Sequence, residues 1–385
     1  MVIKNRPCCS IDHIEAYIKS MLEGSLHLKR IESLSNAVQG VMKGTSLAVS
    51  AIGLALAQAQ GLKTKHAVKQ VDRLMSNTGV KVWDLFAHMA PEIIGARKDI
   101  VVAIDWTDYD ADGQATLALN MITGHGRSSP LLWLTVWKDE LKNKRNDFED
   151  ACLVRLAEII PDGVSVTILA DRGFGDTKLF LFLSELNFSY VIRFKGNTTV
   201  SAEDGITKLA SDWVGKGGRA RKLKGARIAA IGCEVGAVVC VHSKGMSEAW
   251  CLATSISKAS AREIAQLYGQ RWTIETVFRD TKDLRFGMGL SENHISEPTR
   301  RDRILLVNAI AINLLTLLGA AGESLGMDRH LKVNTTTRRT HSLFRQGCML
   351  FDLIPNMPEI WLLPLMVRFE EYLQRFRVFT CVYAT

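Results

Sequence analysis

Three carboxylates stand where phosphodiester chemistry could use them. Asp105 closes an apolar, β-branched run, IVVAID, and Asp171 closes another, VTILAD. Carboxylates at the C-terminal ends of neighbouring strands in an α/β sheet open into one shared crevice, where ligands bind. A lone Asp in such a place commonly serves as a turn residue or helix cap instead. The third, Glu275, lies in AREIAQLYGQRWTIETVFRDTKDLRFG, residues 261–287, which reads as helix. At about 100° per residue, Arg271, Glu275 and Lys282 fall near 300°, 340° and 320° from Tyr268, so all four share a sector of roughly 60°. An i,i+4 ion pair on a solvated face would explain Arg271 and Glu275. It leaves Tyr268 and Lys282 unexplained. Two Mg²⁺ ions about 3.5–4 Å apart can activate an attacking oxygen and stabilise the leaving oxygen of a phosphodiester. Mg²⁺ prefers oxygen ligands and keeps several waters, so two or three carboxylates suffice. Cations and a tyrosine hydroxyl on the same helix could then grip the flanking phosphates.

Those residues need elements to hold them. Residues 1–95 read as helices, and Lys65, Lys69 and Arg73, four apart, share one helix face opposite Val68, Val71 and Leu74. Such a face suits DNA and equally suits solvent. From residue 99 the texture changes to strands at 99–105, 114–122 and 131–137, a helix at 147–160, a strand at 164–169, a helix at 177–186 and a strand at 189–194. That order predicts an α/β sheet. Residues 197–250 break the rhythm and read as a β-rich insertion. Within it, Lys216, Arg219, Arg221, Lys222, Lys224 and Arg227 form an acid-free basic run, as does 330–347 further on. Like charges at this density repel unless neutralised, by phosphates or by water. The uncharged stretch 304–322 is about long enough to cross a bilayer. It carries Asn308, Asn313 and Thr316 and reads better as a buried core helix. The tail, 350–378, is helical and apolar.

Composition sets the class. Hydrophobic residues at 47% and charged residues at 23% exclude disorder. A formal net charge of +8 leans toward a polyanionic partner. The eight cysteines show no C-x-x-C pair, so a zinc site is not expected and reduced, buried thiols are. With no apolar leader near Met1, a cytoplasmic protein is expected. Asp108, Asp110, Asp112 and Gly113 imitate the opening of a calcium loop, but its twelfth position falls on Leu119 where a bidentate Glu is required. They read as turn residues.

The stripe Tyr268, Arg271, Glu275, Lys282 has the spacing Y-x2-R-x3-E-x6-K. It resembles the Y-R-E-K signature of bacterial cut-and-paste insertion-sequence transposases of the DDE class, the hairpin-forming group. Within that group the chain is most similar to the transposase type of insertion sequences flanking tetracycline-resistance composite transposons. LHLKRIESL, KHAVKQVDRL, IDWTD, WCLATS, QRWTIETVFRDTKD and GMGL carry the likeness across nearly the whole chain. The resemblance implies a ribonuclease H-like catalytic core at 96–196 and 251–325, interrupted by the β-rich insertion at 197–250. A helical DNA-binding domain at 1–95 and a helical C-terminal region at 326–385, for dimerisation and DNA contact, would flank it. The chain is short for the group, so that last region is expected to be trimmed. Asp105, Asp171 and Glu275 would be the catalytic triad and hold two Mg²⁺, with Mn²⁺ as a substitute. Tyr268, Arg271 and Lys282 would contact end phosphates, and Trp250 would stack on a base flipped out during hairpin formation. Arg172, Arg193 and Lys195 are further phosphate contacts on this reading. The partners implied are DNA, as terminal inverted repeats and target, and a second copy of the chain in a synaptic complex. Two rivals remain at this point: a non-catalytic DNA-binding repressor descended from such an enzyme, and a nuclease of the same fold.

Overall fold

The computed structural model describes residues 11–229, 232–285 and 287–374. Five helices come first: α1 (Ile11–Leu22), α2 (Leu28–Gly44), α3 (Val49–Gln60), α4 (Thr64–Met75) and α5 (Val82–Ile94). Their apolar faces meet in one core, while Lys65, Lys69 and Arg73 on α4 are exposed. The chain then forms a hairpin meander, β1 (Asp99–Tyr109), β2 (Gln114–Ile122) and β3 (Ser128–Trp137). Next come α6 (Arg145–Ile159), β4 (Ser165–Ala170), α7 (Thr177–Glu185) and β5 (Ser189–Phe194). Short strands follow: β6 (Thr199–Ser201), β7 (Thr207–Leu209), β8 (Arg221–Lys224), β9 (Arg227–Ile228), β10 (Cys233–Glu234), β11 (Ala237–Val241) and β12 (Trp250–Thr254). The chain closes with α8 (Ala261–Gly269), α9 (Thr273–Lys282), α10 (Pro298–Ser324), α11 (Leu343–Leu353) and α12 (Glu359–Gln374).

The architecture is mixed α/β. One eight-stranded sheet runs β3-β2-β1-β4-β5-β12-β11-β8, and a four-stranded sheet runs β10-β9-β6-β7. β1, β4 and β5 are parallel to one another; the other pairings are antiparallel. Strands β8 and β11, from the segment read as an insertion, therefore extend the large sheet. Alternation along each strand sorts its residues by face. Ile168, Ala170, Tyr190 and Ile192 enter the main core. Leu169, Val191, Val239 and Leu252 face the other way, into a smaller cluster closed by Ile264 and Tyr268 of α8.

Two expectations change. Asp105 does not end a strand: β1 continues four residues beyond it, paired with β2. What ends there is the parallel pairing with β4, whose last rung joins Ile104 to Ala170. The sequence showed the loss of apolar residues but not the antiparallel partner that keeps the strand going. The helix spanning Glu275 is also interrupted: α8 and α9 are joined by a 3₁₀ turn, Gln270–Trp272. All its residues keep right-handed helical backbone angles, so the stripe survives the change of winding.

The apolar helix α10 is long enough to cross a bilayer, yet 89% of its most apolar 18-residue window is buried within the protein. It lies against β3, the N-terminal helices and the C-terminal helices α11 and α12. Gly319 of α10 faces the Leu343 carbonyl, and Gly347 of α11 faces the Leu315 carbonyl; a methyl group at either would strike backbone. Cys152, Cys233, Cys240, Cys251 and Cys348 are buried free thiols. Cys8, Cys9, Cys381 and the end of the expected tail helix, 375–378, lie outside the described residues. Asp110–Asp112 form a 3₁₀ turn between β1 and β2, and Gly113 follows with φ of 62°. Asp112 accepts from Arg301 of α10 and from the Ile295 amide, so it is a structural turn residue.

Asp302 of α10 offers a test of this packing. The Thr135 amide donates to its Oδ1 at 3.1 Å, and burial pushes its carboxyl up to about 7. The folded state thus holds this proton more tightly than the unfolded chain does. The resulting stability is complete below about pH 4 and is lost as pH rises through about 7. Thermal melts between about pH 5 and pH 8 are expected to show that loss. Asp302→Asn should flatten it by on the order of a few kcal/mol. An identical pH dependence in both proteins would contradict the assignment.

Candidate functional site

The site gathers at one end of the large sheet, on the face covered by α8 and α9. Since Ile104 pairs with Ala170, the next residues, Asp105 on the continuing β1 and Asp171 just past β4, stand side by side where the parallel pairing ends. Ala170 pairs in turn with Ile192, which sets Arg193 beside Asp171. Arg193 pairs with Leu252 across the antiparallel step to β12. Period-2 alternation then puts Trp250 on the same face.

Helices α8 and α9 bring their stripe down onto these residues. Ser260 and Glu263 form a reciprocal capping box that fixes the start of α8. The Tyr268 hydroxyl donates to Asp171 Oδ1 at 3.3 Å. Arg271, only 8% exposed, donates from one nitrogen to Asp105 Oδ2 at 3.1 Å and from another to Glu275 Oε1 at 2.5 Å. Arg193 stands 3.8 Å from Asp171. The Trp250 ring meets Tyr268 edge-on, with centroids 4.9 Å apart. Asp105, Asp171, Glu275, Tyr268, Arg271, Arg193 and Trp250 thus form one contiguous group.

Three expected residues stand apart from it. Lys282 donates to the Asp108 carbonyl at 2.6 Å and to Thr107 Oγ1 at 3.2 Å, and lies over the Tyr109 ring. It grips the continuation of β1 beyond Asp105. Arg172 is exposed and pairs with Glu248 at 3.1 Å. Lys195 is exposed, one residue beyond β5, and no described hydrogen bond or ion pair of its side chain ties it to the group.

Glu248 escaped the sequence reading. It pairs with Arg193 at 2.7 Å as well as with Arg172. An isolated acid in a loop two residues before Trp250 carries no periodic signal. Glu149 escaped too: it accepts from Trp106 Nε1 at 2.7 Å and so braces the residue beside Asp105. Of the basic run at 216–227, Lys222 is already occupied, donating to the Ser257 and Ala259 carbonyls. Arg221 lies over the Trp213 ring.

Burial dominates the electrostatics of Asp105 and Tyr268. Burial pushes Asp105 up to about 6; Arg271 opposes this, while Glu275 and Asp171 add to it. Burial also drives the Tyr268 hydroxyl upward, with Asp171 adding to the effect. The donor set is entirely oxygen, which suits Mg²⁺ in kind and charge. Among the described residues, no three His, Cys, Asp or Glu side chains already form a metal-holding cluster. The Arg271 guanidinium is the cation that Asp105 and Glu275 share.

Comparison with curated proteins gives no match. Residues 96–314, from just before β1 to well inside α10, match the family described as the transposase DDE domain. That span is more than half of the chain and contains every residue of the group described above, and the chain belongs to the DDE-domain transposases.

Proposed function

We propose that this protein is a hairpin-forming, cut-and-paste DDE transposase in which Asp105, Asp171 and Glu275 are the catalytic carboxylates. The observation that supports this most is that one helical stripe contacts all three carboxylates, Tyr268 donating to Asp171 and Arg271 to Asp105 and Glu275, at the level where the pairing of β1 with β4 ends. Three antiparallel strands followed by parallel β4 and β5 are what a ribonuclease H-like core requires. Helices α1–α5, with the exposed cations of α4, are assigned to terminal-repeat binding. The C-terminal helices are assigned to pairing of two copies, acting in the cytoplasm.

The carboxylates would hold two Mg²⁺ ions, which when bound supply activation of the attacking oxygen and stabilisation of the leaving one. Arg271, released from its carboxylates, would hold a phosphate of the transposon end, with Tyr268 beside it. Lys282 keeps the β1–β2 hairpin in place beneath them. Water hydrolyses one strand at the transposon boundary and frees a 3′-OH. This hydroxyl attacks the opposite strand and forms the hairpin, displacing the flanking DNA. A second water opens the hairpin, and the regenerated 3′-OH then attacks target DNA. Trp250 would hold the base that the tight hairpin expels; stacking recovers part of an unstacking cost of a few kcal/mol.

The test is a short duplex carrying the element's terminal repeat and a few flanking base pairs, incubated with Mg²⁺ and run on a denaturing gel. A nick at the boundary followed by a hairpin-length product is expected. Trp250→Ala is expected to keep the nick and lose most of the hairpin. Binding without cleavage in Mg²⁺ or Mn²⁺ would replace this reading with the repressor. Nicks without a hairpin in the parent protein would remove the role given to Trp250.

A further inference from the structure

A basic cleft lies at the far end of α9 from the carboxylate group. Its volume is about 670 Å³, and it is bounded by the β2–β3 turn, the end of α9 with the segment after it, and the first turn of α11. Arg127, Arg279, Arg285 and Arg345 line it, against one lining acid, Asp280. Asp280 is committed to Arg127. Arg279, Arg285 and Arg345 are exposed. The α11 terminus is capped by Ser342, whose Oγ accepts from the Arg345 amide at 3.2 Å, and its dipole adds positive potential at the cleft mouth. Three separate parts of the chain therefore deliver cations to one concavity. The family's triad and its signature stripe do not account for Arg127, Arg285 or Arg345.

We infer that this cleft binds the sugar–phosphate backbone of DNA, as a continuation of the path through the catalytic group. The inference rests on the DNA-processing reading above and extends it. Continuity is the argument for DNA over an acidic protein segment. Arg279 lies four residues after Glu275, one helical turn along and about 40° around, so the cleft opens where a strand leaving the carboxylates would emerge. Each strand of duplex DNA carries one charge per about 3.4 Å of axis, so a strand running along α9 continues to present phosphates over that distance. Guanidinium groups are suited to take them two hydrogen bonds at a time.

The experiment uses the full chain and a short fluorescent duplex of arbitrary sequence, without Mg²⁺, titrated at several salt concentrations. Arg279→Ala/Arg345→Ala is expected to weaken binding and to lower the slope of log K against log salt by about 2, since each lost phosphate contact removes roughly 0.9. Arg279→Lys/Arg345→Lys keeps the charges and should keep most of the slope. Both side chains are exposed, so the melting temperatures of all three proteins should agree and serve as the folding control. A parental slope in the double-alanine variant overturns the inference while leaving the transposase reading intact. A parent protein that binds no duplex at all overturns both.

Discussion

Glu275→Gln is expected to abolish both nick and hairpin, slowing phosphodiester cleavage by about a thousandfold or more. Loss of one carboxylate from a metal-binding set removes several kcal/mol of transition-state charge stabilisation, and each 1.36 kcal/mol is tenfold in rate. The substitution keeps the side chain's size and its reach to Arg271, so folding should be nearly unchanged. Glu275 is half-buried and makes one ion pair, with Arg271. The measurement is a single-turnover time course on the terminal-repeat duplex, beside a thermal melt. A variant that melts normally, binds the duplex and fails to cut supports the assignment. Cleavage within tenfold of the parent would remove Glu275 from the catalytic set.

Arg271→Ala should produce the second large effect, and on two quantities at once. This side chain is buried between Asp105 and Glu275 and is the main influence holding the Asp105 carboxyl down. Its removal leaves two carboxylates facing each other without their shared cation. Because Glu275 is partly exposed, water relieves some of the strain, and the loss of stability should be about 1–3 kcal/mol, below the figure for a wholly buried pair. Divalent metal should offset that loss. Millimolar Mg²⁺ is therefore expected to raise the melting temperature of Arg271→Ala more than that of the parent, because in the parent the guanidinium competes for the same oxygens. Cleavage should still fall, by about a hundredfold, as a phosphate contact goes with the side chain. Equal Mg²⁺-induced shifts in the two proteins would show that Arg271 and the metal do not compete.

Much of this site was legible because its information is local. Asp105 and Asp171 each follow an apolar run, and Tyr268, Arg271 and Glu275 still meet the carboxylate group across the 3₁₀ turn between α8 and α9. Strands β2 and β5 could be bounded to the residue: DADG and TGHG flank β2, and KGN follows β5. What could not be read depends on partners distant in sequence. The extension of β1 past Asp105 is fixed by β2, and the joining of β8 and β11 to the large sheet is fixed by β12. Glu248, Glu149 and the arginine cleft are likewise products of tertiary approach. Each isolated residue there would be unremarkable on a solvated surface. Lys282 shows the intermediate case: it lies on α9 as read, but its hydrogen bonds go to the backbone and hydroxyl of β1 and not to Asp105, Asp171 or Glu275.

The position of α10 has a consequence for how the protein is made. Helices α2 and α4 pack against it, and Arg303 near its start donates to the Met75 and Val80 carbonyls. Those N-terminal helices leave the ribosome long before residues 298–324 do. At about 5–20 residues per second the interval is tens of seconds. Throughout it, the apolar surface that α10 will cover has no native partner. The N-terminal helices can be complete in sequence and still unfinished in structure. A nascent chain arrested before α10 should be a better chaperone client, and a poorer DNA binder, than one released after it.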